Sequence, residues 1–133
     1  MNVQAVANNV RISPRKVRLV ADAIRNLGVI DAMHLLQSSD KQAGIPLSKT
    51  LKSAVANAVN NAKLDSASLY ISSIMVNQGQ AFKRFRPSTR GRIHPYKKRG
   101  SNITIVLTQK VVASQVIAPK VEAKEVKEKG GKE

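Results

Sequence analysis

Hydrophobic positions along the 133-residue chain follow two periods in succession, first helical and then strand-like. Residues 3–8 alternate weakly through Val3, Ala5 and Ala7 and predict a short strand. Ser13 and Pro14 then mark a helix start. A serine side chain at this point caps the free amides of the first turn, and proline fits the first helical position because its missing N–H would be unpaired there anyway. Val17, Val20, Ala21 and Ile24 follow at helical spacing, and Gly28 after Leu27 offers a residue free to turn left-handed at the end. Residues 29–37 predict a second, short helix with Ala32, Leu35 and Leu36 inward. Ser38, Ser39 and Asp40 break the pattern and offer a new cap. A long helix follows to about residue 62, its stripe running through Ala43, Leu47, Leu51, Ala54, Val55, Ala58 and Val59. Pro46 fits that helix only if it begins near residues 40–43, so that the proline lies in the first turns. Small side chains (Ser53, Ala54, Ala56, Ala58, Ala62) crowd the stripe and favour close packing on a sheet or another helix.

From Leu69 the period changes to two. Residues 69–76 and 102–108 are β-rich, and in the second run Ile103, Ile105 and Leu107 alternate with Thr104, Val106 and Thr108. Between the two runs lies a stretch that cannot be core, FKRFRPSTRGRIHPYKKRG. It predicts a long hairpin over about residues 79–101, turning near residues 87–91. Twelve residues per arm at ~3.3 Å each would reach roughly 40 Å, more than the width of the domain. Such a two-stranded ribbon is marginal alone in water and needs a partner to hold it. The period therefore predicts one α+β domain over residues 1–110, followed by a low-complexity Lys/Glu tail at 111–133 read as disordered.

Charge changes this picture most. The net charge is +15, and it is unevenly placed. Residues 1–65 hold nine basic and four acidic side chains, residues 66–110 hold nine and none, and residues 111–133 hold five and four. Forty-five residues without one carboxylate gain nothing in a compact unit, because like charges repel. An external polyanion is the natural partner. Lys83, Arg84, Arg86, Arg90, Arg92, Lys97, Lys98 and Arg99 all lie on the expected hairpin. They point to phosphate neutralisation with counterion release, which carries little sequence preference and a steep salt dependence. The first helix adds a second basic face through Arg11, Arg15, Lys16, Arg18 and Arg25. A helix that reads base edges usually sets Asn, Gln or Ser beside its arginines, so this face reads as a backbone contact. Phe82, Phe85 and Tyr96, interleaved with the cations, either stack on unpaired bases or stiffen the ribbon by cross-strand packing.

Other classes are excluded or weakened. With no cysteine there is no disulfide framework, thiolate nucleophile or cysteine-ligated zinc. No apolar run approaches the ~18–20 residues of a membrane span. The start, MNVQAVANNV, lacks the layout of a secretory signal and the Arg/Ser enrichment of a transit peptide. Aromatics are 3% of the chain, too few for a general single-strand binding surface, while 42% apolar residues suffice for an aliphatic core. His34 reads as a packing or surface residue, and His94 as facing phosphate or solvent. No metal-ligand spacing, paired carboxylates, phosphate-binding glycine loop or activated serine is present, so neither a catalytic site nor a cofactor is expected.

Four stretches together resemble a known family. VRISPRKVRLVAD (residues 10–22), SAVANAVNN (53–61), KRFRPSTRGR (83–92) and KRGSNITIVL (98–107) resemble large-subunit ribosomal protein L-twenty-two of the bacterial type, in the same order over residues 3–110. The resemblance implies three helices packed on a small three-stranded antiparallel sheet, with a long protruding β-hairpin. It implies a structural, non-enzymatic constituent of the large ribosomal subunit that binds 23S-type rRNA and helps its assembly. It also implies a hairpin that lines the nascent-peptide exit tunnel. By position, Ser13, Arg15, Lys16 and Arg18 match the family's first-helix rRNA face, with Arg11 just before it. Lys83, Arg84, Gly91, Arg92, Lys98 and Arg99 match its hairpin, whose tip is Pro87, Ser88, Thr89, Arg90 and Gly91. The implied partners are large-subunit rRNA, neighbouring ribosomal proteins and the nascent peptide, in the cytoplasm, with no membrane contact and no homo-oligomer. The chain departs from the usual pattern at residues 77–80, where NQGQ replaces an acid pair with Gly-Pro, and at Ser88 and Thr89, where Arg-Ala is usual. The rival reading is a free-standing DNA-binding regulator using the helix capped by Ser13. It would need a dimerisation surface, and no heptad seam supplies one.

Overall fold

Two periods of hydrophobic residues become two layers in the computed structural model, which describes residues 2–109; the tail expected at 111–133 lies outside them. The order is β1 (Asn2–Val10), α1 (Pro14–Ile24), α2 (Val29–Ser38), α3 (Gly44–Asn60), β2 (Leu69–Pro87) and β3 (Ile93–Gln109). Single 3-10 turns lie at Ser66–Ser68 and Thr89–Gly91. β3 is central and antiparallel to both β1 and β2. This is the expected α+β arrangement of three helices and a three-stranded sheet.

The core lies between the helices and one face of the sheet. Ile103, Ile105 and Leu107 of β3 are fully buried, in the register that their alternation predicts. They meet Ala5 of β1, Ile71, Ile74 and Val76 of β2, and the inward rows of the helices in one cluster. On the other sheet face, Val6 and Met75 are exposed. α3 packs on β1 and β3, and α1 on β2 and β3. Ala54 and Ala58, both fully buried, let α3 come close to the sheet, and the Asn57 side-chain amide donates to the Gln4 carbonyl at 3.3 Å.

Several local expectations need correction. Ser13 precedes α1, but its hydroxyl makes no capping bond; its main-chain carbonyl accepts from the amides of Lys16 (3.0 Å) and Val17 (3.2 Å). Pro14 removes one of the amides that a cap would serve. The left-handed residue after α1 is Asn26 (φ 64°), not Gly28. Asparagine tolerates that conformation, and Gly28 is extended, bridging to Tyr70. In α2 the buried row is Val29, Ala32 and Leu36, while Leu35 is exposed. Leu35 lies a full ~100° around the helix from Leu36, too far for a short helix with one packed side. Asp40 caps nothing, because α3 starts only at Gly44, where a side chain would meet the Leu36 carbonyl at 3.2 Å. Pro46 accordingly falls in the first turn, as required. Val59 is also exposed, so the stripe of α3 narrows to Leu47, Leu51, Ala54 and Ala58, with Val55 partly buried.

Two bulges shape β2. The first inserts a residue between Ile71 and Ser73, so the inward series runs Leu69, Ile71, Ile74, Val76. The second lies where the hairpin leaves the sheet: Gln78 pairs with Ser101 and Ala81 with Arg99, leaving Gly79 and Gln80 opposite Gly100. Both glycines sit at close approaches that a side chain would crowd. A Cβ at 79 would lie 3.0 Å from the Asn102 side-chain oxygen, and one at 100 would lie 3.1 Å from the Val10 carbonyl and 3.2 Å from that of Gln80. Gly100→Val is therefore expected to force β1 and β2 apart at this junction and cost ~1–3 kcal/mol of stability, read from the midpoint of urea unfolding. Beyond the bulge the free ladder has seven cross-strand pairs, from Ala81 opposite Arg99 to Pro87 opposite Ile93. At ~3.3 Å per residue this ladder runs roughly 23 Å before the tip loop, against ~40 Å expected for each arm, because the sheet claims residues 79–80 and 100–101 and the tip takes residues 88–92.

Candidate nucleic-acid interface

The register of the ribbon fixes which cations share a face. Alternation in an antiparallel pair puts Lys83 with Lys97 and Phe85 with Pro95 on one face, and Phe82 with Lys98, Arg84 with Tyr96 and Arg86 with His94 on the other. Lys83 lies directly opposite Lys97, and like charges in that position destabilise a ladder. Nothing within the described residues offsets them. Their acids are Asp22, Asp31, Asp40 and Asp65, and the salt bridge found among them joins Asp22 to Arg25 at 3.0 Å. All eight ribbon cations are exposed. Both faces are thus basic, and the arm presents positive charge all round.

At the root, ribbon and globule meet. A hollow beside the start of α1 is lined by Ser13, Pro14, Arg15, Arg18, Gln78 and Arg99. A second, on the far side of Arg99, is lined by Arg11, Phe82, Arg84 and Lys98 together with Asn9, Val10, Gln80 and Gly100. Most of the first-helix cations therefore join the ribbon in one surface instead of forming a separate face. Lys16 is exposed but lines neither hollow. Arg18 also ties α1 to β2, because its Nε and Nη2 both donate to the Val76 carbonyl, at 3.1 and 2.9 Å. Arg25, seven residues on and on the same side of the helix as Arg18, donates to the Asp22 carboxylate at 3.0 Å and to the Ile74 carbonyl at 3.5 Å. Arg99 donates to the Gln78 side chain at 2.8 Å, which steadies it between the two hollows.

The tip is a tight loop. The Ser88 amide donates to the Arg92 carbonyl at 2.8 Å, and the Arg92 amide to that of Thr89 at 3.3 Å. Arg90 (φ 55°) and Gly91 (φ 70°) are both left-handed. Glycine adopts this freely, whereas arginine there is uncommon. Pro87, Ser88, Thr89, Arg90 and Gly91 are all exposed, at the point farthest along the ribbon from the core. The aromatic rings remain partly open: Phe82 is 43% exposed, Phe85 67% and Tyr96 42%. Phe85 and Pro95 line one hollow with Lys83 and Lys97, reaching the edge at Tyr96, and Tyr96 also lines a hollow with Arg86 and His94.

Asn9, Gln78 and Gln80 belong to this surface and carry no charge that would mark them in the sequence. The one hint is Asn8-Asn9 at the end of β1, where Asn9 is left-handed (φ 57°) and its amide donates to the Asn102 side chain at 2.9 Å. No group of three or more His, Cys, Asp or Glu gathers among the described residues. No described helix is long and apolar enough to cross a membrane.

The family model described as ribosomal protein L22p/L17e matches residues 5–108. The large ribosomal subunit protein uL22 of Mesoplasma florum is 48% identical over 108 residues, covering 81% of this chain and 96% of its own length. That of Oceanobacillus iheyensis is 48% identical over 110 residues, covering 83% and 97%. That of Clostridium acetobutylicum is 44% identical over 110 residues, covering 83% and 99%. With its fold, its paired basic arm and nearly the whole of each relative matched, the chain belongs to the ribosomal protein L22p/L17e family, structural and non-enzymatic components of the large ribosomal subunit.

Proposed function

We propose that this chain binds large-subunit rRNA through its ribbon and the ribbon's root, promotes folding of that rRNA during subunit assembly, and lines the nascent-peptide exit tunnel with the tip. The observation that carries the reading is the ladder from residue 81 to residue 99, where Lys83 faces Lys97 with no carboxylate at hand. Such an arm is strained alone and relieved when phosphates lie along both its faces. Arg11, Ser13, Arg15, Arg18, Arg84, Lys98 and Arg99 extend the contact onto the globule, while Arg86, Arg90, Arg92 and Lys97 carry it outward. We assign residues 87–91 to the tunnel wall because they are exposed and lie farthest along the ribbon from the core, and because the resemblance puts that segment there. The chain acts as a single copy in the cytoplasm, among neighbouring ribosomal proteins.

The regulator reading is weakened by the same geometry. The N-terminal end of α1, which such a protein inserts in the major groove, shares a hollow with Gln78 and Arg99 of the ribbon root. Sedimenting a cell lysate at moderate salt separates the two. Nearly all of the protein is expected with large subunits, and a dominant free pool would contradict rRNA binding as its main role.

A further inference from the structure

The hollow between the end of β1 and the ribbon root differs from the rest of the basic surface. It encloses about 250 Å³, below the ~300 Å³ at which small-molecule sites usually begin, and so suits one planar ring. Phe82, a residue 43% exposed, forms part of its wall. Arg84, two residues along the same face, and Lys98, directly across from Phe82, flank it with cations, and Arg11 adds a third from the end of β1. Asn9 and Gln80 also line the hollow, and each carries a side-chain amide with two N–H donors and a carbonyl acceptor. Gly100 lines it too, and a side chain there would crowd the carbonyls of Val10 and Gln80, at 3.1 and 3.2 Å, on the same wall. The main-chain N–H of Asn9 donates to the Asn102 side-chain oxygen at 2.9 Å, which fixes the backbone at the rim.

Phosphate neutralisation needs none of this; an exposed cation on a flat ribbon does it equally well. A concave site with one aromatic wall, cations at its mouth and amides within reach matches an unpaired nucleotide. We propose that this hollow captures a single base extruded from the rRNA, stacked on Phe82, with its phosphate held by Arg11, Arg84 and Lys98 and its edge read by Asn9 and Gln80. A paired base cannot enter, because both its faces are covered by its neighbours and the major groove of A-form RNA is too narrow for side chains to follow it. The inference rests on the rRNA-binding reading above and sharpens it: one contact is specific for an unstacked nucleotide, while the remainder follow the backbone.

The test combines the full chain with deproteinised large-subunit rRNA, mapping base edges with dimethyl sulfate and backbone with 2′-hydroxyl acylation, and measuring affinity across a salt series. Wild type is expected to shield the base edge of one unpaired nucleotide. Phe82→Leu keeps an apolar residue on the ribbon but lacks a π-face. It should lose that protection and bind roughly 5- to 100-fold more weakly, with an unchanged salt slope because no cation is removed. Phe82→Trp should retain both. Lys97→Ala, on the other ribbon face, should make the salt slope shallower by about 1 and leave the protected base as it was. Phe82→Leu with the wild-type footprint, or an affinity within twofold, overturns the captured base while leaving rRNA binding standing. No footprint anywhere from wild type overturns both.

Discussion

Replacing Lys83, Arg84, Lys97 and Lys98 together by alanine is expected to weaken binding to large-subunit rRNA by about 10²–10³-fold at physiological salt, with the fold intact. Each cation that neutralises a phosphate releases about one counterion, so four lost contacts should make the slope of log affinity against log salt shallower by roughly 3. The four side chains are exposed and outside the core, so their removal takes away no packing. It also removes the direct opposition of Lys83 and Lys97, so the free protein should unfold at the same urea concentration or slightly higher. That pairing of outcomes separates a binding arm from a structural one. Filter binding across a salt series and urea unfolding of the same variant give both readings. Unchanged affinity, or a collapse of stability, would contradict the role assigned to the ribbon.

The largest expected loss of stability comes from Leu51→Ala. Leu51 is fully buried in α3, in the row with Leu47, Ala54 and Ala58 that faces the sheet. Truncation removes its transfer free energy and leaves a void among rigid neighbours, a cost of ~2–5 kcal/mol. A domain of this size holds on the order of 5–15 kcal/mol, and the unbalanced positive charge lowers it further. The free variant should therefore show a thermal midpoint lower by about 10–30 °C. Leu19→Ala, at a site 68% exposed on α1, should stay within ~0.5 kcal/mol of wild type. On the proposed rRNA binding, which involves the folded form alone, adding rRNA should recover part of the Leu51→Ala deficit. A loss under about 1 kcal/mol at Leu51 would contradict the placement of α3 on the sheet.

The sequence shows the layers of this fold more clearly than their seams. Ile103, Ile105 and Leu107 could be read straight from their alternation, since a half-buried strand leaves few other ways to arrange them. The basic arm was equally legible, because missing carboxylates are visible without any structure. Leu35 and Val59 misled because helical periodicity marks a broad apolar sector, whereas each helix here buries a narrower row. The bulges were invisible, and they matter most to the site. One extra residue shifts the pairing of everything beyond it, so the bulge at Gly79 and Gln80 decides that Lys98, not Lys97, lies across from Phe82 and joins it and Arg84 on one side. Asn9 and Gln80 gave no charge signal, and only the meeting of β1 with the ribbon root makes them neighbours of a cation.

The central claim is that the ribbon lies against rRNA in the assembled subunit. A photoreactive phenylalanine analogue in place of Phe85, 67% exposed on the ribbon and outside the core, probes it directly. After irradiation of purified large subunits, the crosslinked chain is expected to carry rRNA, with adducts confined to a few neighbouring nucleotides. Subunits that contain the chain but yield only protein adducts from that position, or none, would contradict it.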